Sequence, residues 1–138
     1  MKVYIIAIFM LSLASASNLK TQVGQNCQST GSITINDFDV GPWPPAANIS
    51  SFVTVVFTVN QPNTTIGVVT YGTLNKYQQW TFQYQMVNQM YLQNSFETLQ
   101  YILLWPNIAG NYITQVTFGS LNAPPKINAC WVFSYTIG

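Results

Sequence analysis

The sequence has very little charge. Its 138 residues include four lysines, three carboxylates, no arginine and no histidine, so that 5% are charged, against about 25% in an average soluble protein. Without a basic patch, the chain has no electrostatic footprint for nucleic acid. Without histidine, a Ser-His-Asp triad and histidine-ligated metals are excluded, and two cysteines cannot build a structural zinc site. Thirteen asparagines and twelve glutamines supply an uncharged polar surface instead.

The first 16 residues have the pattern of a secretory signal peptide. Lys2 provides a short positive region, and residues 3–14 form an apolar run of 12 residues. That run is shorter than the roughly 20 residues needed to span a bilayer. Ala14-Ser15-Ala16 fits the small-x-small cleavage rule, so we expect cleavage after Ala16, with an uncleaved signal anchor as the alternative. We expect residues 17–138 to form a single domain that is extracellular or lies in an endosomal or lysosomal lumen.

Export determines how the two cysteines are interpreted. In an oxidising compartment, a lone pair such as Cys27 and Cys130 is most simply a disulfide, and two free buried thiols are the alternative. In the chain-entropy model, a bridge closing about 100 residues contributes about 4.7 kcal/mol. Two N-glycosylation sequons, beginning at Asn48 and Asn63, lie in turn-like sequence and agree with export. We therefore expect a disulfide-bonded glycoprotein.

From Gly31 onward, short runs of β-branched and aromatic residues are separated by glycine, proline and asparagine. No stretch has a convincing helical period. The runs predict seven strands, and seven short strands in about 120 residues indicate an all-β, two-sheet sandwich of immunoglobulin-like size. The predicted strands cover residues 32–40, 52–60, 66–74, 79–87, 96–104, 112–118 and 129–137.

Three of these strands carry more detailed predictions. The near-continuous apolar run at residues 52–60 is typical of a strand buried on both faces. In the first strand, a β-bulge near Asn36-Asp37 is needed to return all of its apolar residues to the core. In the last strand, we assign the alternating apolar face to the core. Those apolar residues are Ile33, Ile35, Phe38 and Val40 in the first strand, and Trp131, Phe133, Tyr135 and Ile137 in the last.

The few carboxylates give little support for catalysis. Asp37 and Asp39 have the i, i+2 spacing of a pair on one strand face, and paired carboxylates serve acid–base chemistry in glycosidases. The predicted bulge places both on the solvent side, so we interpret them as solvated charges. Glu97 is solitary, and the serines and threonines lack a base. We expect no enzymatic activity, no metal and no cofactor.

Several motifs, taken in order, resemble those of the secreted ML lipid-recognition domain. A cysteine precedes the first strand, Asp39-Val40-Gly41-Pro42-x-Pro44 ends it, and a Val/Phe-rich strand follows. Gly110-Asn111-Tyr112 opens the penultimate strand, and Cys130-Trp131 opens the last. The resemblance covers residues 24–138. The family includes the sterol carrier of Niemann–Pick type C disease, the ganglioside activator and phospholipid-transfer proteins.

The resemblance implies a sandwich that holds a lipid between its sheets. By the family pattern, Cys27 and Cys130 match the pair that ties the amino-terminal segment to the last strand. Trp43 stands where several members have a cysteine, and their middle-region disulfides are missing here. Apolar groups on the predicted inner faces are the candidate lipid-pocket residues, although aromatic residues also fill ordinary cores. The candidates are Phe57, Val59, Trp80, Phe82, Tyr84, Tyr101, Leu103, Trp105, Val116, Phe118, Trp131 and Phe133.

Two functions remain open from the sequence. The first is a secreted protein that holds an acyl chain or sterol for transfer or presentation, with a sterol, fatty acid or phospholipid as ligand and transient membrane contact. The second is a non-enzymatic interaction module with a closed core, in an extracellular or surface assembly with protein partners. Low charge favours the second, because neutral surfaces associate readily.

Overall fold

The computed structural model describes residues 21–28 and 31–138. These residues form nine β-strands and contain no helix. Within these ranges, therefore, no helix is long and apolar enough to cross a membrane. The predicted signal peptide, residues 1–16, lies outside the described residues. The strands are β1 (Thr21–Gln22), β2 (Gln25–Asn26), β3 (Ile33–Gly41), β4 (Ser50–Val59), β5 (Thr64–Leu74), β6 (Trp80–Tyr91), β7 (Phe96–Leu104), β8 (Gly110–Gly119) and β9 (Ile127–Ile137).

The strands form two antiparallel sheets that pack face to face. One sheet has the order β1-β3-β4-β7, and the other has the order β2-β9-β8-β5-β6. The prediction of an all-β sandwich is confirmed, but the strand number is nine rather than seven. The additional strands, β1 and β2, have two residues each and only polar side chains. They carry no apolar run by which sequence analysis recognises a strand.

The predicted bulge in the first strand is confirmed. The register of β3 against β4 shifts between Ile35 and Asp37, while Asn36 is exposed. This extra residue changes the side-chain parity, so the apolar residues on both sides of it reach the core. The prediction for residues 52–60 was wrong in one respect: β4 is central in its sheet, but only one of its faces is fully buried. Phe52 is exposed on the other face.

Aromatic rings occupy the space between the two sheets. Trp131, Phe133, Tyr135 and Ile137 are all buried, so the predicted register of the last strand is confirmed. Phe38 from the opposite sheet lies 5.7 Å from Trp131 and 5.5 Å from Phe133, measured between ring centroids. The Trp131 indole donates a 2.8 Å hydrogen bond to the Val23 carbonyl. This bond ties the amino-terminal segment to the core.

The predicted disulfide between Cys27 and Cys130 is present. It joins the segment after β2 to β9, beside the backbone pairing of those two strands. Such a bridge is compatible with an oxidising compartment or the extracellular space. The asparagines of the two sequons, Asn48 and Asn63, are exposed outside the strands. Both are therefore accessible, and their glycosylation remains a prediction.

Candidate functional site

Most of the candidate lipid-pocket residues lie in the hydrophobic core. Their side chains pack against one another: Phe57 lies 6.3 Å from Phe118, and Trp105, which also borders an open cleft, lies 6.3 Å from Phe133, between ring centroids. Tyr101 is half-buried and stacks on Tyr71 at 4.7 Å. The buried candidates are Phe57, Val59, Leu103, Trp105, Val116, Phe118, Trp131 and Phe133.

The prediction that Trp80, Phe82 and Tyr84 face inward was wrong. Their side chains are 45%, 52% and 58% exposed, respectively. They lie on the outer face of β6, which is the edge strand of its sheet. Aromatic and polar residues alternate along this part of β6, but its polar residues Gln83 and Gln85 face the other sheet. Because these polar residues bond to backbone groups of the facing edge strand, their inward position is favourable.

Two glutamines join the edge strands of the two sheets. The Gln83 amide donates to the Leu104 carbonyl and accepts from the Leu104 amide, both at 3.0 Å. The Gln85 amide donates to the Gln100 carbonyl at 2.9 Å. Gln83 therefore bonds to β7 as a neighbouring strand would. We call these contacts, from Gln83 and Gln85 of β6 to the backbone of β7, the glutamine clamp.

A cleft of about 370 Å³ opens at one end of the sandwich, beside the glutamine clamp. It lies between the inner side of β6 and the loop that connects β7 to β8. Trp105, Ile108 and Tyr112 provide apolar walls, while Thr73 and Gln83 provide polar groups. Its volume falls within the roughly 300–1,000 Å³ of typical ligand pockets. None of the described residues that line it is charged.

A chain of three buried hydroxyls reaches this cleft from the core. Thr73 and Thr114 share a hydrogen bond of 2.8 Å, and Thr114 and Tyr135 share one of 2.9 Å. Thr73 is the member of this chain that lines the cleft. Burial raises the pKa of Tyr135 more than its hydrogen bonds with Thr114 and Thr73 lower it, so this phenol stays neutral at physiological pH.

The carboxylates form no chemical cluster. Asp37 and Asp39 lie half-buried on β3, and the described residues contain no group of three or more acidic, cysteine or histidine side chains that could hold a metal ion. The principal site features that sequence analysis missed are the glutamine clamp and the hydroxyl chain. A polar residue on a strand face carries no signal of the backbone or hydroxyl group that it will meet on a distant strand.

The fold is similar to known structures, although the sequence is distant from theirs. No protein-family model and no curated protein matches the chain. The crystal structure of a Niemann-Pick type C2 protein from Japanese carpenter ant matches with a TM-score of 0.61 and 11% identity, over 84% of this chain and 99% of that one. The C-terminal domain of wzt matches with a TM-score of 0.61 and 12% identity, over 86% and 78% of the two chains. The protein therefore has an ML-like β-sandwich fold.

Proposed function

We propose that the protein is a non-enzymatic binder of one neutral lipid, which enters through the cleft at the end of the sandwich. The observation that carries this proposal is the uncharged cleft of about 370 Å³ between β6 and the β7–β8 loop. The ML-like fold supports it. A secreted or lumenal protein of this kind would transfer the lipid between membranes or present it to a partner.

Apolar burial provides the driving force, at roughly 25 cal/mol per Å² before the costs of binding are subtracted. The ligand extends from the walls formed by Trp105 and Tyr112 towards the packed aromatic core, whose rings move to admit it. The glutamine clamp opens or shifts when the ligand enters, because Gln83 both lines the cleft and holds β6 to β7.

The polar groups of the cleft favour a hydroxyl over a carboxylate. A carboxylate buried without a cation keeps a large desolvation penalty, and the described lining of the cleft has no cation. A hydroxyl can instead share a hydrogen bond with the hydroxyl of Thr73, which lines the cleft. We therefore propose that a sterol or another lipid alcohol binds more tightly than a fatty acid of similar size, and that salt changes its affinity little.

The second candidate function, an interaction module, is favoured by a different observation. Rings of the protein itself occupy the centre of the sandwich. On the outer face of the four-stranded sheet, large apolar side chains such as Phe52, Ile102 and Leu104 are exposed. Such a surface is suited to packing against another protein. This function requires no ligand inside the sandwich.

Lipid extraction and uptake distinguish the two functions. Native protein is extracted with organic solvent for mass spectrometry, and uptake of a fluorescent sterol is measured for the wild type, Thr81→Trp and Thr98→Trp. Thr81 lines the cleft, whereas Thr98 is an exposed threonine on β7 that does not line it. We expect copurifying lipid, with uptake lost in Thr81→Trp and kept in Thr98→Trp. No extracted lipid and no uptake by the wild type would exclude the carrier and support the interaction module.

A further inference from the structure

A row of three aromatic rings lies on the outside of the five-stranded sheet. The centroids of Trp80 and Phe82 are 6.1 Å apart with planes at 9°, and those of Phe82 and Tyr84 are 6.3 Å apart with planes at 22°. The rings follow each other at every second residue of β6, so their spacing is set by the strand. We call Trp80, Phe82 and Tyr84 the outer aromatic row.

The neighbouring strand holds the row in place. Gly72 of β5 pairs with Phe82, and a Cβ atom on this glycine would lie 3.1 Å from the Phe82 ring and 3.3 Å from the Trp80 ring. The two rings therefore lean over the glycine and cover it. This packing on one side restricts their movement, while about half of each side chain remains exposed. The row is a platform of nearly parallel rings.

Uncharged hydroxyl and amide groups lie directly beside the platform. Thr70, Gln115 and Thr117 line a shallow depression of about 220 Å³ together with Trp80 and Phe82. Thr70 and Thr117 are paired across β5 and β8. Within the described residues, neither threonine makes a side-chain hydrogen bond to the protein. β6 itself contains no charged residue.

We propose that the outer aromatic row binds an extended, uncharged polysaccharide chain of β-1,4-linked sugars. The C–H groups on the face of a pyranose ring are weakly positive and pack on the negative face of an aromatic ring. The hydroxyls of the sugar supply partners for Thr70, for Thr117 and for the amide oxygen of Gln115, whose amide nitrogen donates to Cys130 Sγ at 3.3 Å. Because the rings are nearly parallel and follow each other along one strand, they suit a ligand whose successive sugar rings form a flat ribbon. The absence of charge in β6 suits a neutral polymer.

Other occupants fit these groups less well. A membrane interior or the apolar face of another protein would cover Thr70 and Thr117 without giving their hydroxyls partners, at a cost in free energy. A single-stranded nucleic acid also stacks on aromatic rings, but it requires a positively charged groove. Of the row, Phe82 also lines the lipid cleft proposed above, whereas Trp80 and Tyr84 do not. Variants at Trp80 and Tyr84 therefore test the sugar site without changing the lining of the cleft.

Retention on insoluble polysaccharide tests the proposal. The wild-type protein is mixed with microcrystalline cellulose, chitin or β-1,4-mannan, and the bound fraction is measured over a range of polysaccharide concentrations. We expect at least one of the three to retain it, with affinity reduced about tenfold or more, equivalent to roughly 1.4 kcal/mol, in Trp80→Ala and in Tyr84→Ala. The matched control is Phe52→Ala, which removes an exposed ring from the other sheet and should leave retention unchanged. Tyr84→Phe keeps the ring and should also retain binding.

Three outcomes would overturn the proposal. The first is that none of the three polysaccharides retains the folded wild-type protein. The second is retention that Trp80→Ala and Tyr84→Ala do not weaken, with circular dichroism showing native strands. The third is association that these substitutions abolish in the absence of polysaccharide, detected by sedimentation of the protein alone or with neutral phosphatidylcholine vesicles. This last result would assign the row to a second copy of the chain or to a membrane.

Discussion

Two five-residue segments of the chain have the same aromatic pattern and opposite environments. Residues 80–84 read WTFQY in β6, and residues 131–135 read WVFSY in β9. In both, Trp, Phe and Tyr share one strand face, with mostly polar residues between them. The rings of residues 131–135 are 4–8% exposed, whereas those of residues 80–84 are 45–58% exposed.

The difference comes from the position of each strand in its sheet. β9 lies between β2 and β8, and its rings face Phe38 of the other sheet. β6 lies at the sheet edge, where the side turned towards the other sheet can bond to the backbone of β7 through Gln83 and Gln85. The clamp therefore satisfies the polar face of β6 and leaves its rings outside. An alternating pattern determines which residues share a face, and the neighbouring strands determine which face is buried.

Replacing the central ring of each segment should give the largest contrast. Phe133→Ala removes a buried ring that contacts Phe38, Trp43 and Trp105, and should lower the free energy of unfolding by about 3–5 kcal/mol. Phe82→Ala removes an exposed ring and should cost about 1 kcal/mol or less. Urea unfolding at equilibrium measures both. Equal losses of unfolding free energy in the two variants would contradict the opposite environments of the two segments.

Removal of the disulfide beside the buried segment should have the next largest effect on stability. Cys27 and Cys130 are separated by 103 residues, and Cys130 immediately precedes residues 131–135. The double variant Cys27→Ser/Cys130→Ala should lower the free energy of unfolding by about 2–5 kcal/mol, since the unfolded chain is no longer cross-linked. Urea unfolding of this variant is compared with that of the wild type under non-reducing conditions. A loss below about 0.5 kcal/mol would mean that the bridge adds nothing beyond the packing of β9.

Alkaline pH should weaken the core through its buried tyrosines. Burial raises the pKa of Tyr71 and of Tyr135, so the unfolded chain loses these protons at lower pH than the folded protein does. The free energy of unfolding should be constant below about pH 10 and fall above it, by at most about 1.4 kcal/mol per pH unit for each tyrosine. Urea unfolding at a series of pH values measures this slope, and Tyr135→Phe should reduce it. An unchanged slope in that variant would exclude Tyr135 as a source of the stability loss at alkaline pH.

The glutamine clamp should have a smaller and more local effect. Gln83→Ala removes both hydrogen bonds to the Leu104 backbone, which water can partly replace, so we expect a loss of about 1 kcal/mol. Hydrogen exchange at the Leu104 amide should accelerate. Gln89→Ala is the matched control, because Gln89 is exposed on the same strand and makes no side-chain hydrogen bond within the described residues. Equal exchange rates in the two variants would show that the clamp does not hold β7.

Local patterns predicted much of the fold. The bulge in β3 followed from the parity of its apolar residues, and the disulfide followed from a lone cysteine pair in a chain with a predicted export signal. The orientation of β6 could not be predicted, because its polar partners are backbone groups of a distant strand. The same applies to the hydroxyl chain, whose members Thr73, Thr114 and Tyr135 lie on three different strands. Predicting the site therefore required more knowledge of long-range contacts than predicting the strands did.

Hydroxyl-radical footprinting with residue-level mass spectrometry tests the central comparison most directly, because oxidation of aromatic side chains depends on their contact with solvent. Trp80 and Tyr84 should be oxidised at least several times faster than Trp131 and Tyr135 in the native protein, and the rates should converge after unfolding in urea. Similar native rates for the two segments, or faster oxidation at Trp131, would contradict the orientation of β6 and with it the outer aromatic row.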